Sequence, residues 1–584
     1  LLKKLHHKGI LIPDPPVYHG ITLAIRGQQV KLTPKQEEMA LAWARKQGTP
    51  YVEDLIFVKN FMLDFSRALN IQPVLKVDEV DFSPLIKIVE SERAAREAMS
   101  KEEKKALAAQ RKQVREQLKE EYGFALADDE RIELANYLAE PSGIFMGRGK
   151  HPLRGKWKEG ASQSDITLNI SPDAPVPPGE WKDRVWQPES LWVARWEDKL
   201  SGKIKYIWLH DTAPVKQVRE AQKFDKAIEL DSRIQEVRRH IQEGLSSDKP
   251  KIRRVATACF LIDALCLRVG DEKDADEADT VGATTLRPEH IKLLDDGKVE
   301  FRFLGKDSVL WHKKIELPQL VRDNLQELIK NAEPSANAVA GKSKNSAYFK
   351  PQLFPDITSR NVNEYLSQAM PGLSAKVFRT HHATTTVREN LENAGVVVND
   401  PEYKKWEAVV KANLEAAILC NHTKQAPKNW ENRKKNYRDR EMSTQKRLET
   451  LKKQLLKMND ELKTLKQEAK EKKTQAKTKQ AKQKAATTWN KRITAKEKLI
   501  AKAAQMEEKT RQALGKLRAQ KAIAMQNRTW NLGTSQKSYI DPRVFYNWGN
   551  RVNYDVLEKY YSSTLRRKFM WVKNIAEADT DDEE

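Results

Sequence analysis

The sequence predicts an α+β multidomain protein, and three observations carry that reading. From Lys428 to about Gln526 the chain has one glycine and no proline, and leucines recur three and four residues apart. Upstream, Gly143–His210 is rich in Trp, Gly and Pro and contains a hairpin pattern. Between the two, from about Val215 to Asn421, helical periodicity dominates. The expected architecture is a mixed N-terminal lobe, a small β-rich domain, a mostly helical core, a helical-hairpin linker and a small C-terminal segment carrying Tyr539.

The first eighty or so residues mix short β-like runs with amphipathic helical runs such as Pro34–Gly48. From Asp81 to Tyr122 the chain is charged, free of glycine and interrupted only by Pro84. With its capping-box pattern at Ser100-Lys-Glu-Glu it reads as long exposed helix. In the β-rich part, Leu191-Trp-Val-Ala-Arg-Trp, a Ser201-Gly202 turn and Ile204-Lys-Tyr-Ile-Trp-Leu read as a hairpin. Ile252–Leu267 is a helix by its periodicity. A strand pair follows, with Val299–Leu304, a Gly305-Lys306 tip and Ser308–His312.

Leu448, Leu451, Leu455, Met458, Leu462 and Leu465 alternate three and four apart, and Ala469 and Ala476 continue the seven-residue repeat. This is a coiled-coil seam. It fades around Thr474–Thr488, where a reversal is expected, and a second helix returns through Ile493, Leu499, Met506 and Leu514. A disordered basic linker is the alternative.

The 584 residues suffice for several domains and a substantial core. Lys and Arg total 105 against 82 Asp and Glu, a net charge of +23. Such an excess on a folded chain favours a polyanion, nucleic acid being the commonest. Solvated Lys-rich helices are the plainer alternative, and charge alone assigns no chemistry. The three cysteines, Cys259, Cys266 and Cys420, form no CxxC pair and no even framework, which fits a reducing compartment. Cys259 and Cys266 are expected on one buried helix face. The longest apolar run, around Val255–Val269, contains Asp263 and is too short to span a bilayer. No signal peptide is visible. The chain starts at Leu1, so a preceding part with any targeting signal is expected elsewhere.

Two phosphate-loop near-misses fail the Walker pattern, so no nucleotide hydrolysis is expected. Gly149-Lys-His-Pro-Leu-Arg-Gly155-Lys156 has five residues between its glycines and ends in Trp157, and Gly341-Lys342-Ser343 has Ala336 where the first glycine belongs. The loop Gly147-Arg148-Gly149-Lys150-His151-Pro152 still suits a nucleic-acid backbone. The acidic cluster Asp271–Asp279 lacks EF-hand order. The His381-His382 and His6-His7 doublets lack metal-ligand spacing, so no metal site is expected.

The chemistry-bearing candidates are scattered basic residues and one tyrosine. Arg268 closes the apolar helix, Lys306 sits on the strand-pair turn, Arg379 follows Lys376 at a helix start, and His422 follows a helix end. Each has a plain structural reading: a capping Arg, a turn Lys, a surface Arg and a helix-end His. Spacing leaves both readings open.

Six ordered motifs go further. They are Phe145-Met-Gly-Arg-Gly-Lys-His-Pro, Leu267-Arg268-Val-Gly through Ala278-Asp-Thr-Val-Gly to Leu286-Arg-Pro-Glu-His, Phe303-Leu-Gly-Lys306-Asp-Ser, Lys376-Val-Phe-Arg379-Thr, Ile418-Leu-Cys-Asn-His422, and Gly533-Thr-Ser through Tyr539-Ile-Asp-Pro-Arg543. In these the chain resembles eukaryotic type IB DNA topoisomerases over essentially its whole length.

The resemblance implies a catalytic set of Tyr539 as nucleophile, Arg268, Arg379 and His422 as transition-state stabilisers and Lys306 as general acid. It places Arg148, Lys150, Lys158, Lys376, Asp307 and Ser538 near the DNA. The implied activity is relaxation of supercoiled double-stranded DNA of low sequence specificity through a 3′-phosphotyrosine, with no cofactor, metal or ATP. It further implies a monomer clamped around DNA in the nucleus, with no membrane association, and a site for camptothecin-type drugs at the cleaved DNA. The implied domains are 1–18 with 104–213 as a core subdomain including the β-rich clamp part, and 19–103 as an N-terminal cap. They continue with 214–425 as a helical catalytic core of the kind shared with tyrosine recombinases, 426–527 as an antiparallel coiled-coil linker, and 528–584 with the nucleophile and the acidic tail Asp579–Glu584. Ser538 stands where the family often has Asn, and that residue abuts the drug site.

A tyrosine recombinase is the nearest alternative, but such enzymes usually carry His three residues before the second Arg, where this chain has Lys376. A non-catalytic chromatin or RNA scaffold is the distant one, and it leaves the ordered motifs unexplained.

Overall fold

The computed structural model describes residues 2–273, 277–341 and 346–573. The acidic tail, most of the second phosphate-loop near-miss and the middle of the Asp271–Asp279 cluster lie outside them. The chain divides into two compact units, Leu1–Lys376 and Val377–Glu584.

The first unit begins with a return. Strand Leu5–His7 pairs antiparallel with Phe124–Ala127, which pairs with Glu130–Glu133. The residues between form a core of their own. There Thr33 caps helix Pro34–Ala44 in a box with Gln36, and Asp54 caps helix Leu55–Leu69 through the Ile56 and Phe57 amides. Phe57, Phe61 and Phe65 recur every fourth residue, so they share one face. Trp43 stacks on Phe61 at 4.6 Å between ring centres.

The charged stretch after Asp81 is two helices, Ser83–Ala98 and Lys101–Tyr122, not one. Ser100 is extended at ψ 168°, its side chain accepts from the Glu103 amide, and its own amide donates to the Glu103 carboxylate at 2.7 Å. A cap residue has non-helical torsions, so a capping box starts a new helix rather than continuing one.

The β-rich hairpin forms as strands Trp192–Glu197 and Ile204–Trp208. Gly202 turns it at φ +66°, and the Asp198 carboxylate accepts from the Leu200 and Ser201 amides. Strands Ile166–Asn169 and Asp183–Val185 complete a four-stranded sheet. Its inner face shares an apolar cluster with Leu2, Leu5 and Ile10. Long helices Pro214–Leu245 and Pro250–Leu265 follow. The strand pair is Lys298–Gly305 and Val309–Glu316, joined by a third strand, Ile291–Leu293. Three residues are too few for alternation to show in the sequence.

The second unit holds most of helix Ala375–Glu392, then helix Glu402–Leu419, the helical hairpin and a cluster of short C-terminal helices. The hairpin is Trp430–Gln475 and Lys479–Gln526, reversing at residues 476–478 within the expected stretch. Ion pairs link Glu441 to Arg518 and Lys521, Glu461 to Lys496, and Lys466 to Glu497, the register of an antiparallel pair.

On the first helix the expected seam residues are the shielded ones, from Leu448 to Ala469. On the second helix the expectation holds at Ile493 and Leu514 and fails at the two residues between them. Leu499 and Met506 are 56% and 41% exposed. A shielded stripe runs through Ile493, Lys496, Ile500, Ala503, Glu507, Thr510, Leu514 and Leu517, alternating three and four apart. Counted back in sevens from Leu514, the repeat meets Glu507 and Ile500, one place beyond the large apolar residues that attract the eye. The run's one glycine, Gly515, lies against Tyr403, whose ring atoms and hydroxyl would be 2.6–3.1 Å from a Cβ placed there.

Candidate active site

In the second unit, helix Ala375–Glu392 carries Arg379 inward, 4% exposed. Its Nη2 donates to the Cys420 carbonyl at 3.0 Å and lies 3.1 Å from His422 Nε2. His422 reaches this position through the end of helix Glu402–Leu419. Asn421 takes φ +54°, its amide donates to Ile418 O, and the His422 amide donates to Ala417 O. This is a Schellman ending, and Asn enters the left-handed region at lower cost than most residues. The ring's other nitrogen, Nδ1, is 2.7 Å from Ser535 Oγ.

Tyr539 is the cap residue of the short helix Leu532–Ser538, with Ser538 directly before it. Its ring stacks on His422 at 5.2 Å, and the Arg379 guanidinium lies 4.9 Å from the ring centre. A guanidinium at that distance is attracted to the ring's π face. The Thr384 hydroxyl, on the same helix as Arg379, donates to Tyr539 O and accepts from the Asp541 amide. The chain entering and leaving the long hairpin is clipped at its base. Lys424 donates to Thr529 O at 2.7 Å, and Asn531 donates to His422 O at 2.6 Å.

The first unit has its own cluster. The loop from Phe145 to Lys156 is closed at its base by backbone bonds from Phe145 to Lys156 O and from Gly155 to Phe145 O. Gly149, at φ +57°, approaches Ser308 so closely that a Cβ would sit 2.3 Å from its Oγ. Arg148 pairs with Asp307 at 2.5 Å. The turn itself holds Asp307 and Ser308 at φ +66° and +57°, two consecutive non-glycine residues in the left-handed region. Such torsions persist where the surroundings hold them. Lys306 and Lys150 are exposed. Arg148, Lys158, Lys273, Glu277, Thr280 and Lys306 line an open cavity of about 640 Å³.

Lys158 differs from the others. It is buried, with its ammonium 2.5 Å from Asp198 and 2.6 Å from Glu140. Burial pushes the Asp198 carboxyl up, but hydrogen bonds from Lys158 and from the Ser201 and Leu200 amides outweigh it and hold the group down at about 2. A phosphate reaching Lys158 competes with two carboxylates. Lys376 is exposed in the first turn of its helix.

Arg268 is not a helix cap. The apolar helix stops at Leu265, Cys266 turns the chain at φ +54°, and Arg268 lies in the irregular segment beyond. Its carbonyl accepts from the Ala283 amide at 2.9 Å, Val269 O accepts from Thr284, and Val281 donates to Leu304 O at 2.8 Å. Residues 281–284 thus tie Arg268 to the strand that leads into Lys306. Arg287, 4% exposed, anchors this segment with a two-pronged pair to Asp279 and a bond to Glu289. Ser535, Thr384, Asp279 and Arg287 escape sequence reasoning. All but Thr384 stand inside motifs already quoted, but hydroxyls and ion pairs leave no periodic trace.

Among the described residues no group of three His, Cys, Asp or Glu side chains is placed to hold a metal ion, and no helix is long and apolar enough to cross a membrane. Three family models match in chain order: the DNA binding fragment of eukaryotic DNA topoisomerase I over residues 2–209, its catalytic core over 212–455, and the C-terminal topoisomerase domain over 511–581.

The chain belongs to the eukaryotic DNA topoisomerase I family.

Similar proteins agree. DNA topoisomerase 1 of Homo sapiens is 33% identical over 592 residues, which cover 99% of this chain and 71% of the relative. The mitochondrial DNA topoisomerase I of Homo sapiens is 30% identical over 99% of this chain and 91% of its own length. DNA topoisomerase 1 beta of Arabidopsis thaliana is 34% identical over 73% of this chain and 45% of its own. In this topoisomerase I chain the Arg379–His422–Tyr539 cluster straddles two matched segments, the first two residues in the catalytic core and Tyr539 in the C-terminal domain. Most of the hairpin, residues 456–510, falls between them.

Proposed function

We propose that this topoisomerase relaxes positive and negative supercoils by cutting one strand, letting it rotate, and resealing it, without ATP or metal. Tyr539 Oη attacks a backbone phosphorus and forms a 3′-phosphotyrosine. The P–O5′ bond breaks, and the phenolic proton is lost to solvent. Lys306 supplies a proton to the departing 5′-oxygen, which otherwise leaves as a poor alkoxide. Arg268 and Arg379 bind the non-bridging oxygens as their charge grows, and His422 adds a further donor. Arg suits this because its planar fork donates twice and stays charged. The covalent bond conserves the phosphodiester energy, so the 5′-hydroxyl can attack back and religate.

The observation that carries this reading is the tyrosine ring held against a buried arginine and a histidine, Arg379 and His422. A phenol serving only as a core side chain has no need of a buried cation beside it. Exposed Arg148 and Lys150, with Lys376, Asp307 and Ser538, would meet the duplex near the cut. Binding is mostly to phosphates, hence weak in sequence preference and steep in salt dependence. We infer a monomer around double-stranded DNA, camptothecin-type drugs stacking beside Ser538, and the nucleus as compartment. The mitochondrial relative makes organelle fractionation the test of that last point.

Plasmid relaxation in EDTA without ATP tests the activity, with both signs of supercoil expected to relax. Tyr539→Phe should bind DNA and yield no covalent adduct on denaturing gels. An undiminished adduct places the nucleophile elsewhere.

A further inference from the structure

The contacts of His422 point to where its proton lies. A guanidinium nitrogen can only donate a hydrogen bond. Arg379 Nη2 is 3.1 Å from His422 Nε2, so Nε2 offers its lone pair. The neutral ring then carries its proton on Nδ1 and donates it to Ser535 Oγ at 2.7 Å. Both groups are buried, His422 6% exposed and Ser535 0%. In this arrangement Nε2 has no hydrogen to give a phosphate. The role proposed for His422 needs the other tautomer, with the hydrogen on Nε2 and a lone pair on Nδ1.

Ser535 is the group that permits the exchange. A hydroxyl both donates and accepts, and it changes role by rotating about one bond. We propose that Ser535 is a positioning residue that sets the His422 tautomer and reverses it when DNA binds. Without DNA, Ser535 Oγ accepts from Nδ1–H while Arg379 occupies Nε2. When a phosphate draws the Arg379 N–H groups to itself, Nε2 is released. Ser535 then turns its own hydrogen toward Nδ1, one proton leaves Nδ1 for water and one is taken from water at Nε2. The ring stays neutral throughout. DNA thereby converts a histidine that cannot donate to the phosphate into one that can, and the free enzyme is held in an unreactive arrangement. Alanine at position 535 would remove the hydroxyl that accepts from Nδ1–H in the first tautomer and donates to Nδ1 in the second.

This inference rests on the proposed role of His422, and the experiment separates the two. Full-length protein labelled with 15N-histidine is compared free and with a duplex in the Tyr539→Phe background, with His422 resonances assigned by their loss in His422→Gln. The free protein should show a protonated Nδ1 and a bare Nε2, and DNA should exchange them. Ser535→Ala should abolish the exchange and, in protein that retains Tyr539, slow single-turnover cleavage about ten- to hundredfold through lost alignment, with DNA affinity unchanged. Ser535→Thr, which keeps the hydroxyl, should restore both. The same tautomer with and without DNA, or a doubly protonated ring in either state, overturns the proposal even if Ser535 variants fold poorly. A covalent adduct persisting in Tyr539→Phe instead removes the parent reading.

Discussion

Thr384 grips the backbone immediately after the Tyr539 side chain, on either side of Ile540. Its hydroxyl donates to the Tyr539 carbonyl at 3.3 Å and accepts the Asp541 amide at 3.1 Å. One side chain, a little over one helical turn from Arg379, therefore sets the height of the tyrosine against the arginine. Thr384→Val keeps the shape and removes the hydroxyl, leaving a buried N–H unmet at a cost of about 1–3 kcal/mol. Cleavage in a single turnover should fall about tenfold through lost alignment, while Thr384→Ser stays near wild type. Equal behaviour of the two variants would show that shape alone matters.

Lys306 stands exposed on a turn held in left-handed torsions by its neighbours. Lys306→Ala should depress cleavage of an ordinary duplex by about a hundredfold or more, within the range of general acid catalysis. A substrate with sulfur at the 5′-bridging position has a leaving group that needs no proton and should be cleaved at nearly the wild-type rate. Equal loss on both substrates removes Lys306 from the acid role.

Arg287 reaches Arg268 and Lys306 only through the segment it anchors. Arg287→Met retains bulk and loses both ion pairs. Because Asp279 is 41% exposed, the stability cost should be modest, about 1–3 kcal/mol. Hydrogen exchange at the Ala283 and Thr284 amides should quicken before any global change, and cleavage should fall with DNA affinity kept. Unaltered protection at those amides would mean that the segment holds without its anchor.

Two histidines should make the first unit acid-labile. Burial lowers His7 from 6.5 to about 4, and its two nitrogens already serve Asn169 O and the Gly9 amide. Burial, then the Arg287 charge, lowers His290 likewise to about 4. The unfolded chain binds a proton at each near 6.5 and the folded chain only near 4. Their contribution is therefore full above 6.5 and is lost as pH falls toward 4, at about 1.4 kcal/mol per pH unit for each. Urea midpoints should drop between pH 6.5 and 4.5, and His290→Gln should flatten the slope. A flat profile in the wild type would mean that both rings are charged in the folded state.

The helices and the main hairpins are legible from residue type and spacing, whereas the candidate site is legible only through the family's motifs. Leucines betray the first hairpin helix because seven-residue spacing and bulk coincide there. They do not coincide on the return helix, where Ala503, Glu507 and Thr510 face inward and Leu499 and Met506 face water. Tyr539, Arg379 and His422 stand in recognisable motifs, yet only the fold shows them in contact. Arg268 looked like a helix cap because nothing in Leu265-Cys-Leu-Arg announces a left-handed cysteine. Ser535, Thr384 and Arg287 act through single hydrogen bonds and ion pairs, which depend on where distant segments meet.

The clip at the hairpin's base has a consequence for how such a chain can change. Lys424 meets Thr529, and Asn531 meets His422, so two backbone bonds bring the strands together before the long helices begin. At 1.5 Å per residue each helix extends roughly 70 Å from that neck. The address of Tyr539 is written at the neck and is indifferent to the excursion beyond it. Whole turns could be gained or lost at the far end, provided both helices change together, and the tyrosine would still arrive at the same place. The geometry around Tyr539 is thus insulated from the length of the helices beyond the neck.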